Sequence, residues 1–271
     1  MIRTYGVKES TVHTHEMEPY AEEVGILGYG VVPGVLDSSA VAECRERIDR
    51  LHRQQIEAGD GDRQRTNIND WNIVRCVLAD DPYFLSLPTN ERILSVVQLL
   101  LGDYFILQQQ NGVLNPSDVE NHQGAWHRDL PYQHFVSSRP VAISALFCID
   151  RFDEQTGGTF VLPFSHKVEA FPSNRFVAAH EVGVIAEPGD VIVFDSMLYH
   201  RAGVNTSGRM RRGINHVFAL PILRQQINIP RSLKGRWSDD PRLVKLLGYE
   251  SDTPDNAHDW RDRQQKKRQL M

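Results

Sequence analysis

Two histidines and one aspartate carry the chemistry that this chain can do. One residue separates His127 from Asp129, and His200 follows 71 residues after Asp129. Two imidazoles and a carboxylate are the donor set of a facial triad. That set holds one face of an octahedral Fe(II) and leaves the other face open for oxygen and an organic co-substrate. The spacing suits a strand. Residues i and i+2 point to the same side, so His127 and Asp129 can share a metal while Arg128 points away. The third ligand, His200, must then come from a distant strand that folds back alongside. A centre of this kind activates oxygen.

The residues around His200 support that placement. Glu187-Pro188-Gly189-Asp190 is a turn signal. Val191-Ile192-Val193-Phe194 is a short apolar run of the sort that makes a buried strand, and His200 lies just beyond it. Residues 201–207 read as a loop. Arg211 opens a second β-like run, 212–220, expected to pair with the first as a hairpin. Alternation puts Arg209 and Arg211 on one face of that strand and Arg212 on the other. Folding back brings Arg211 to depth beside the metal. A buried guanidinium needs a bidentate anionic partner, and the far carboxylate of 2-oxoglutarate, its keto-acid end on iron, meets that need.

Four ordered segments resemble the phytanoyl-CoA dioxygenase family of Fe(II)/2-oxoglutarate-dependent oxygenases. They are AWHRD (125–129), TGGTFVLPFSHK (156–167), EPGDVIVFDSMLYHRAGVNTS (187–207) and the downstream Arg211. The opening GYGVVPGVL (28–36), followed by a helical pattern, is also similar to the family's start. The resemblance implies iron ligation by His127, Asp129 and His200 and anchoring of 2-oxoglutarate by Arg211. It further implies Gln110 and Thr159 as co-substrate contacts. Three positions depart from the family pattern. Arg128 stands where glutamine is common, Phe164 replaces the glycine of Pro-Gly-Ser-His, and Ala202 replaces a frequent serine. Asp129 occupies the place that halogenases leave open for chloride, which favours hydroxylation. The implied fold is a double-stranded β-helix, a jelly-roll relative of the cupins, with buttressing helices.

Composition is that of a soluble globular protein, 41% hydrophobic and 24% charged. A net charge of −5 lacks the basic excess of a nucleic-acid binder. No apolar run of 18 residues is present, so no membrane span is expected. The first 20 residues have no apolar core of a secretory signal. Three scattered cysteines, Cys44, Cys76 and Cys148, suggest neither a disulfide framework nor a zinc site, and a cytoplasmic setting is expected.

Along the chain, residues 1–24 read as a polar, partly loose segment, 25–230 as the oxygenase domain, and 231–271 as a helical appendage with a charged tail. Asp37-Ser38-Ser39 caps a helix over 40–55, whose apolar positions Val41, Cys44, Ile48 and Leu51 recur at helical spacing. A second helix is expected over 90–101, closed by Gly102. β-like runs dominate from 104 to 220, so helices precede a β core: a mainly β, α+β domain. In an unbroken strand Gln108 and Gln110 share a face.

Trp71, Trp126, Tyr132 and His134 are candidates for the substrate pocket, although aromatic residues beside a β core mostly pack. His166 reads as a turn residue and His216 as a structural strand residue. The loops 58–72, 115–125 and 130–137, with the appendage near the mouth, mix amides and aromatics. That blend suits a polar small-molecule metabolite or natural-product intermediate. The implied chemistry couples decarboxylation of 2-oxoglutarate to succinate and CO2, using O2, with oxidation of an unactivated C–H bond. Desaturation, ring closure and epimerisation share its first step. A redox-inactive metal-binding jelly roll and a cupin-like isomerase are the competing readings, neither of which needs Arg211. The appendage offers a surface for a homodimer.

Overall fold

The computed structural model describes residues 5–7, 11–58, 68, 70–119, 122–130 and 135–269. Nine antiparallel strands among these residues form two sheets. β1 (Tyr29–Val32), β2 (Ile73–Val74), β3 (Ile106–Asn115), β4 (Ala142–Cys148), β7 (Val191–Asp195) and β9 (Arg211–Ala219) make the larger sheet, in the order β1-β7-β4-β9-β3-β2. β5 (Thr159–Val161), β6 (Val182–Gly183) and β8 (His200–Ala202) make the smaller one, in the order β6-β5-β8. Two antiparallel sheets packed face to face are the double-stranded β-helix expected from sequence.

Each central strand sorts its side chains by parity. In β4, Ile143, Ala145 and Phe147 enter a core shared with the helices, while Leu146 and Cys148 face the smaller sheet. In β7, Val191 and Val193 take the helix side, and Ile192 and Phe194 the inter-sheet side. Both faces are covered, which is why AISALFC and VIVFD read as nearly continuous apolar runs.

The helix layer comprises α1 (Glu18–Leu27), α2 (Ser38–Glu57), α3 (Val77–Asp80) and α4 (Glu91–Leu101). Asp37 caps α2 by accepting from the Ala40 N–H at 2.8 Å, and Asn90 caps α4 by accepting from Arg92 and Ile93. These short-range signals fixed both helix starts. α5 (Asn174–His180) lies between the strands of the smaller sheet, and α6 (Ile229–Leu233), α7 (Pro241–Leu246) and α8 (Ala257–Gln269) follow the last strand.

Four expectations change. Residues 18–24 are not loose: they belong to α1, which buries Val24 at the helix-side core next to Met17. β7 and β9 do not form a hairpin, because β4 lies between them and pairs with both. His200 lies just beyond β7 as expected, but it begins β8, so Arg201 and Ala202 are strand rather than loop. Among the described residues, none of the appendage walls the cavities that hold the candidate triad; Leu233, Leu246 and Leu247 join the helix-side core. The charged tail forms α8, with Trp260 exposed. Among the described residues, no helix is long and apolar enough to cross a membrane.

The turn before β7 is built as the sequence implies. Gly189 has φ +96°, and a Cβ there would meet the Leu36 carbonyl oxygen at 2.3 Å. Only glycine meets both conditions without displacing the chain. Asp190 closes the turn by accepting from Glu187 N–H, and ties it to the turn after β1 by accepting from Gly34 N–H.

Candidate metal centre

His127 and His200 are held together by backbone. Each donates its N–H to the other's carbonyl at 3.0 Å, and Asp129 N–H donates to Ser196 O at 3.0 Å. The segment 127–129 thus lies antiparallel beside 196–200. This fold-back brings one donor atom from each of His127, Asp129 and His200 within 4.8 Å of one another. His200 Nε2 stands 3.4 Å from Asp129 Oδ1, and the imidazole centroids are 4.3 Å apart.

Neighbouring groups fix the state of each donor. His127 Nδ1 lies 2.7 Å from Ala125 O, and His200 Nδ1 3.0 Å from Leu198 O. A carbonyl can only accept, so both protons sit on Nδ1 and both Nε2 lone pairs are left for a metal. Asp129 Oδ2 accepts from Ser144 Oγ at 2.6 Å and from Asn215 Nδ2 at 3.1 Å, leaving Oδ1 on the histidine side. Since Ser144 donates to the carboxylate, Ser196, 2.8 Å away, donates to Ser144. Burial opposes ionisation of Asp129, but the imidazoles of His200 and His127 and the Ser144 hydroxyl hold it well below the usual carboxylate range. Burial would lower His200 likewise; the Asp129 charge raises it instead.

Arg211 opens β9 on the same inter-sheet face as Asn215. It is 3% exposed, and one NH2 donates to Gly157 O at 2.9 Å. Its guanidinium carbon lies 4.3 Å from the Phe152 ring centroid, and its Nε has no hydrogen-bond partner. No carboxylate pairs with it among the described residues. Burial pulls it down to about 10, so it stays charged at neutral pH. Arg212, of opposite parity, turns outward to Asp49 and Asp150. A cavity of about 50 Å³ is walled by all three candidate ligands, Arg211, Thr159 and Asn215. A buried cation without a counter-charge, facing a cavity that also holds three metal donors, fits an organic anion bound between the two.

The remaining candidates divide. Thr159 lines the cavity and stands opposite Ala202 in the β5–β8 pair, so this wall keeps a hydroxyl despite the missing serine. Gln110 does not face the cavity: its amide donates to Phe84 O and meets His216 Nε2 on the helix side. The reason is a bulge at Gln108, which shifts the β3–β9 register between Leu107 and Gln109 and reverses the parity beyond it. Gln109 and Asn111 take the cavity face instead. Trp126 packs against Phe171 and Arg201, and Trp71 offers its carbonyl to His52; neither lines the cavities around the triad. Tyr132 and His134 lie outside the described residues. Asn115, placed near the pocket from sequence, is buried and bonds Gly157 O and Gly203 O.

Arg128 points off the metal face, as its position between two ligands requires. It is not at the surface, however: it is 2% exposed, with its guanidinium carbon 3.9 Å from the Tyr199 ring centroid. Phe164, which stands where the family has glycine, holds φ +66°. A second cavity, about 190 Å³, opens beside the triad and is walled by Gln109, Asn111, Gln123, Asn215, Gln226 and Arg75. None of the six was singled out from sequence, although Gln123 lies in the loop 115–125 expected to form the pocket. Ser144 and Asn215 were also hidden, because only sheet register brings them to Asp129.

A double-stranded β-helix with this triad and a buried arginine at its open end defines an iron- and 2-oxoglutarate-dependent oxygenase. The chain belongs to the phytanoyl-CoA dioxygenase family, whose model (Phytanoyl-CoA dioxygenase, PhyH) matches residues 27–213. It is 31% identical over 251 residues to the uncharacterized protein Rv1501 of Mycobacterium tuberculosis, covering 90% of this chain and 91% of that one. It is 23% identical over 249 residues to dioxygenase andF of Emericella variicolor, covering 84% and 82%. Among solved structures, it is similar to the epimerase SnoN in complex with Fe3+, alpha ketoglutarate and nogalamycin RO. That match has a TM-score of 0.59 and 20% identity, covering 76% of this chain and 84% of the other. HygX from Streptomyces hygroscopicus, with nickel and 2-oxoglutarate bound, gives 0.60 and 18%, covering 78% and 90%. At such identities the two structures speak for the fold.

Proposed function

We propose that this protein hydroxylates an unactivated C–H bond of a polar small molecule, with His127, Asp129 and His200 holding Fe(II) and Arg211 anchoring 2-oxoglutarate. One observation carries the reading: the uncompensated buried Arg211 opens onto the same cavity as the three donors. When bound, iron and 2-oxoglutarate supply the oxidising power, releasing succinate and CO2. The protein's own groups set the geometry. Ala125 O and Leu198 O orient the imidazoles, and Ser144 and Asn215 hold the carboxylate. Arg211 fixes the far carboxylate of the co-substrate, and Thr159 offers a hydroxyl on the same wall.

The second cavity supports a polar substrate. Among the described residues its walls carry five amides and two arginines, Arg75 and Arg128, beside His127 and Asp129, with Ile73 and Val113 as apolar members. Arg75 is held by Asp70 through two hydrogen bonds, so it supplies donors rather than a free charge. A long acyl chain would find little apolar surface there.

Anaerobic titration with Fe(II) and 2-oxoglutarate tests the site before any substrate is known. The wild type should develop the weak visible charge-transfer band of the chelate. His200→Ala should abolish it, and Arg211→Ala should shift its 2-oxoglutarate midpoint upward by tenfold or more, the scale of a lost charge-assisted bond. A metallated wild type without a band would overturn the reading. Substrate-dependent succinate release then screens candidates; turnover of acyl-CoAs alone would overturn the polar-substrate part.

A further inference from the structure

Arg128, buried and among the walls of the second cavity, turns its guanidinium to the chain that follows Phe164. Its NH2 donates to Ser165 O at 3.0 Å and Val168 O at 2.5 Å, and its NH1 lies 3.4 Å from Glu169 O. Its face covers the Tyr199 ring. Tyr199 grips the same turn from the other strand: its hydroxyl donates to Glu169 O at 3.1 Å, and its N–H donates to Ser165 Oγ at 2.9 Å. Arg128 directly follows His127, and Tyr199 directly precedes His200. Two neighbours of candidate metal ligands, from the two segments that the His127–His200 bridge joins, therefore converge on one turn, 165–169.

That turn begins under strain. Phe164 holds φ +66°, a left-handed conformation that a bulky side chain rarely adopts, and the residue is 54% exposed. Burial of the ring therefore does not hold the backbone there. Hydrogen bonds from Phe164 N–H to Leu27 O and from Lys167 N–H to Phe164 O hold it, and Arg128 and Tyr199 grip the residues that follow.

We propose that Arg128 is a positioning residue: with Tyr199 it clamps the 165–169 turn, which follows the strained Phe164, against the segments carrying His127 and His200, and thereby sets the spacing of the two imidazoles. The inference rests on the iron reading above, since a spacing matters only if one metal spans both rings. Arg128 touches no reacting atom. Its removal frees the turn, and both histidine backbones lose a common anchor.

The test is anaerobic Fe(II) affinity and the Co(II) absorption spectrum, measured on protein shown to be folded by circular dichroism. Arg128→Gln should weaken Fe(II) binding by about tenfold, the low end for an outer partner of metal ligands. It should also alter the Co(II) bands. Arg128→Lys keeps a charge and one donor and should fall between. Tyr199→Phe should lose less, because the ring remains. Phe164→Gly relieves the turn; combined with Arg128→Gln it should recover most of the affinity, a coupling that independent sites would not show. A purely structural role would lower thermal stability and leave the affinity of the folded protein unchanged, and that result overturns the proposal. So would equal losses for Arg128→Gln with and without Phe164→Gly. If Arg128→Gln does not fold, Arg128→Lys and Tyr199→Phe read the same affinity, and unchanged binding in both overturns it. A wild type that takes no metal removes the iron reading and the clamp together; a metal-binding wild type matched by Arg128→Gln removes the clamp alone.

Discussion

At Arg211 the protein buries a full positive charge with one carbonyl and one aromatic face for company. Burying an ion without a partner costs on the order of several kcal/mol, even after relaxation. Stability alone does not favour such a residue, so its function and its effect on folding should separate. Arg211→Met keeps the length of the side chain and removes the charge. Gly157 O, its acceptor, still receives Asn115 Nδ2 at 3.0 Å. Without ligand, the variant should melt no lower than the wild type. With a redox-inert divalent metal present throughout, adding 2-oxoglutarate at about 100 times its Kd should stabilise the wild type further by about 2.7 kcal/mol, and the variant by much less. Calorimetry with and without 2-oxoglutarate decides it: a variant much less stable than the ligand-free wild type would show that Arg211 is a fold residue first.

The helices and strands were legible in unequal measure, and the reason lies in the range of the forces. Asp37 and Asn90 announce α2 and α4 because capping is a contact within one turn. The triad and Arg211 were legible from residue type and from the spacing that resembles the family, although 127–129 meets His200 through an isolated bridge rather than in a strand and β4 separates β7 from β9. What escaped depends on pairing. The bulge at Gln108 is imposed by β9, and it alone moves Gln110 to the helix side and Gln109 to the cavity. The insertion of β4 between β7 and β9 is likewise set by the whole sheet. The seat of α2 on β3 offers a test at this scale. A Cβ on Gly112 would lie 2.4 Å from Ile48 Cδ1 and 2.9 Å from its Cγ1, and Ile48 is fully buried. Gly112→Ala should destabilise by about 1–3 kcal/mol, the usual range for overpacking. Ile48→Val removes the nearer atom, so the pair should lose less than the sum of the singles; additive losses would mean that α2 simply shifts.

Across the whole molecule, three buried titratable groups outside the metal centre shape its response to acid. Burial, assisted by Lys167, pushes His166 down from 6.5 to about 4, and burial pushes His216 down to about 3. Both stay neutral in the fold while the unfolded chain takes up their protons below pH 6.5. Each therefore contributes stability that is present above pH 6.5 and lost as pH falls. Asp195 runs the other way. Burial raises it from 3.8 to about 6, against a hydrogen bond from Met197 N–H. Its folded form binds a proton below pH 6 that the unfolded chain holds only below 3.8, so it adds stability as pH falls through that window. Between pH 4 and 6 it offsets one of the two histidines, and the three together leave a slope of about 1.4 kcal/mol per pH unit, one net proton. Asp195→Asn keeps an acceptor for Met197 N–H and removes the compensation. That variant should be more stable than the wild type at pH 7.5 by up to about 3 kcal/mol, because a buried charge is gone. Its stability should then fall about twice as steeply with acid between pH 6 and 4, until the two curves meet. Denaturant unfolding of both proteins at half-unit pH steps measures this directly. Parallel curves would mean that Asp195 is ionised throughout, held by Lys167 and Arg128 more strongly than burial opposes them.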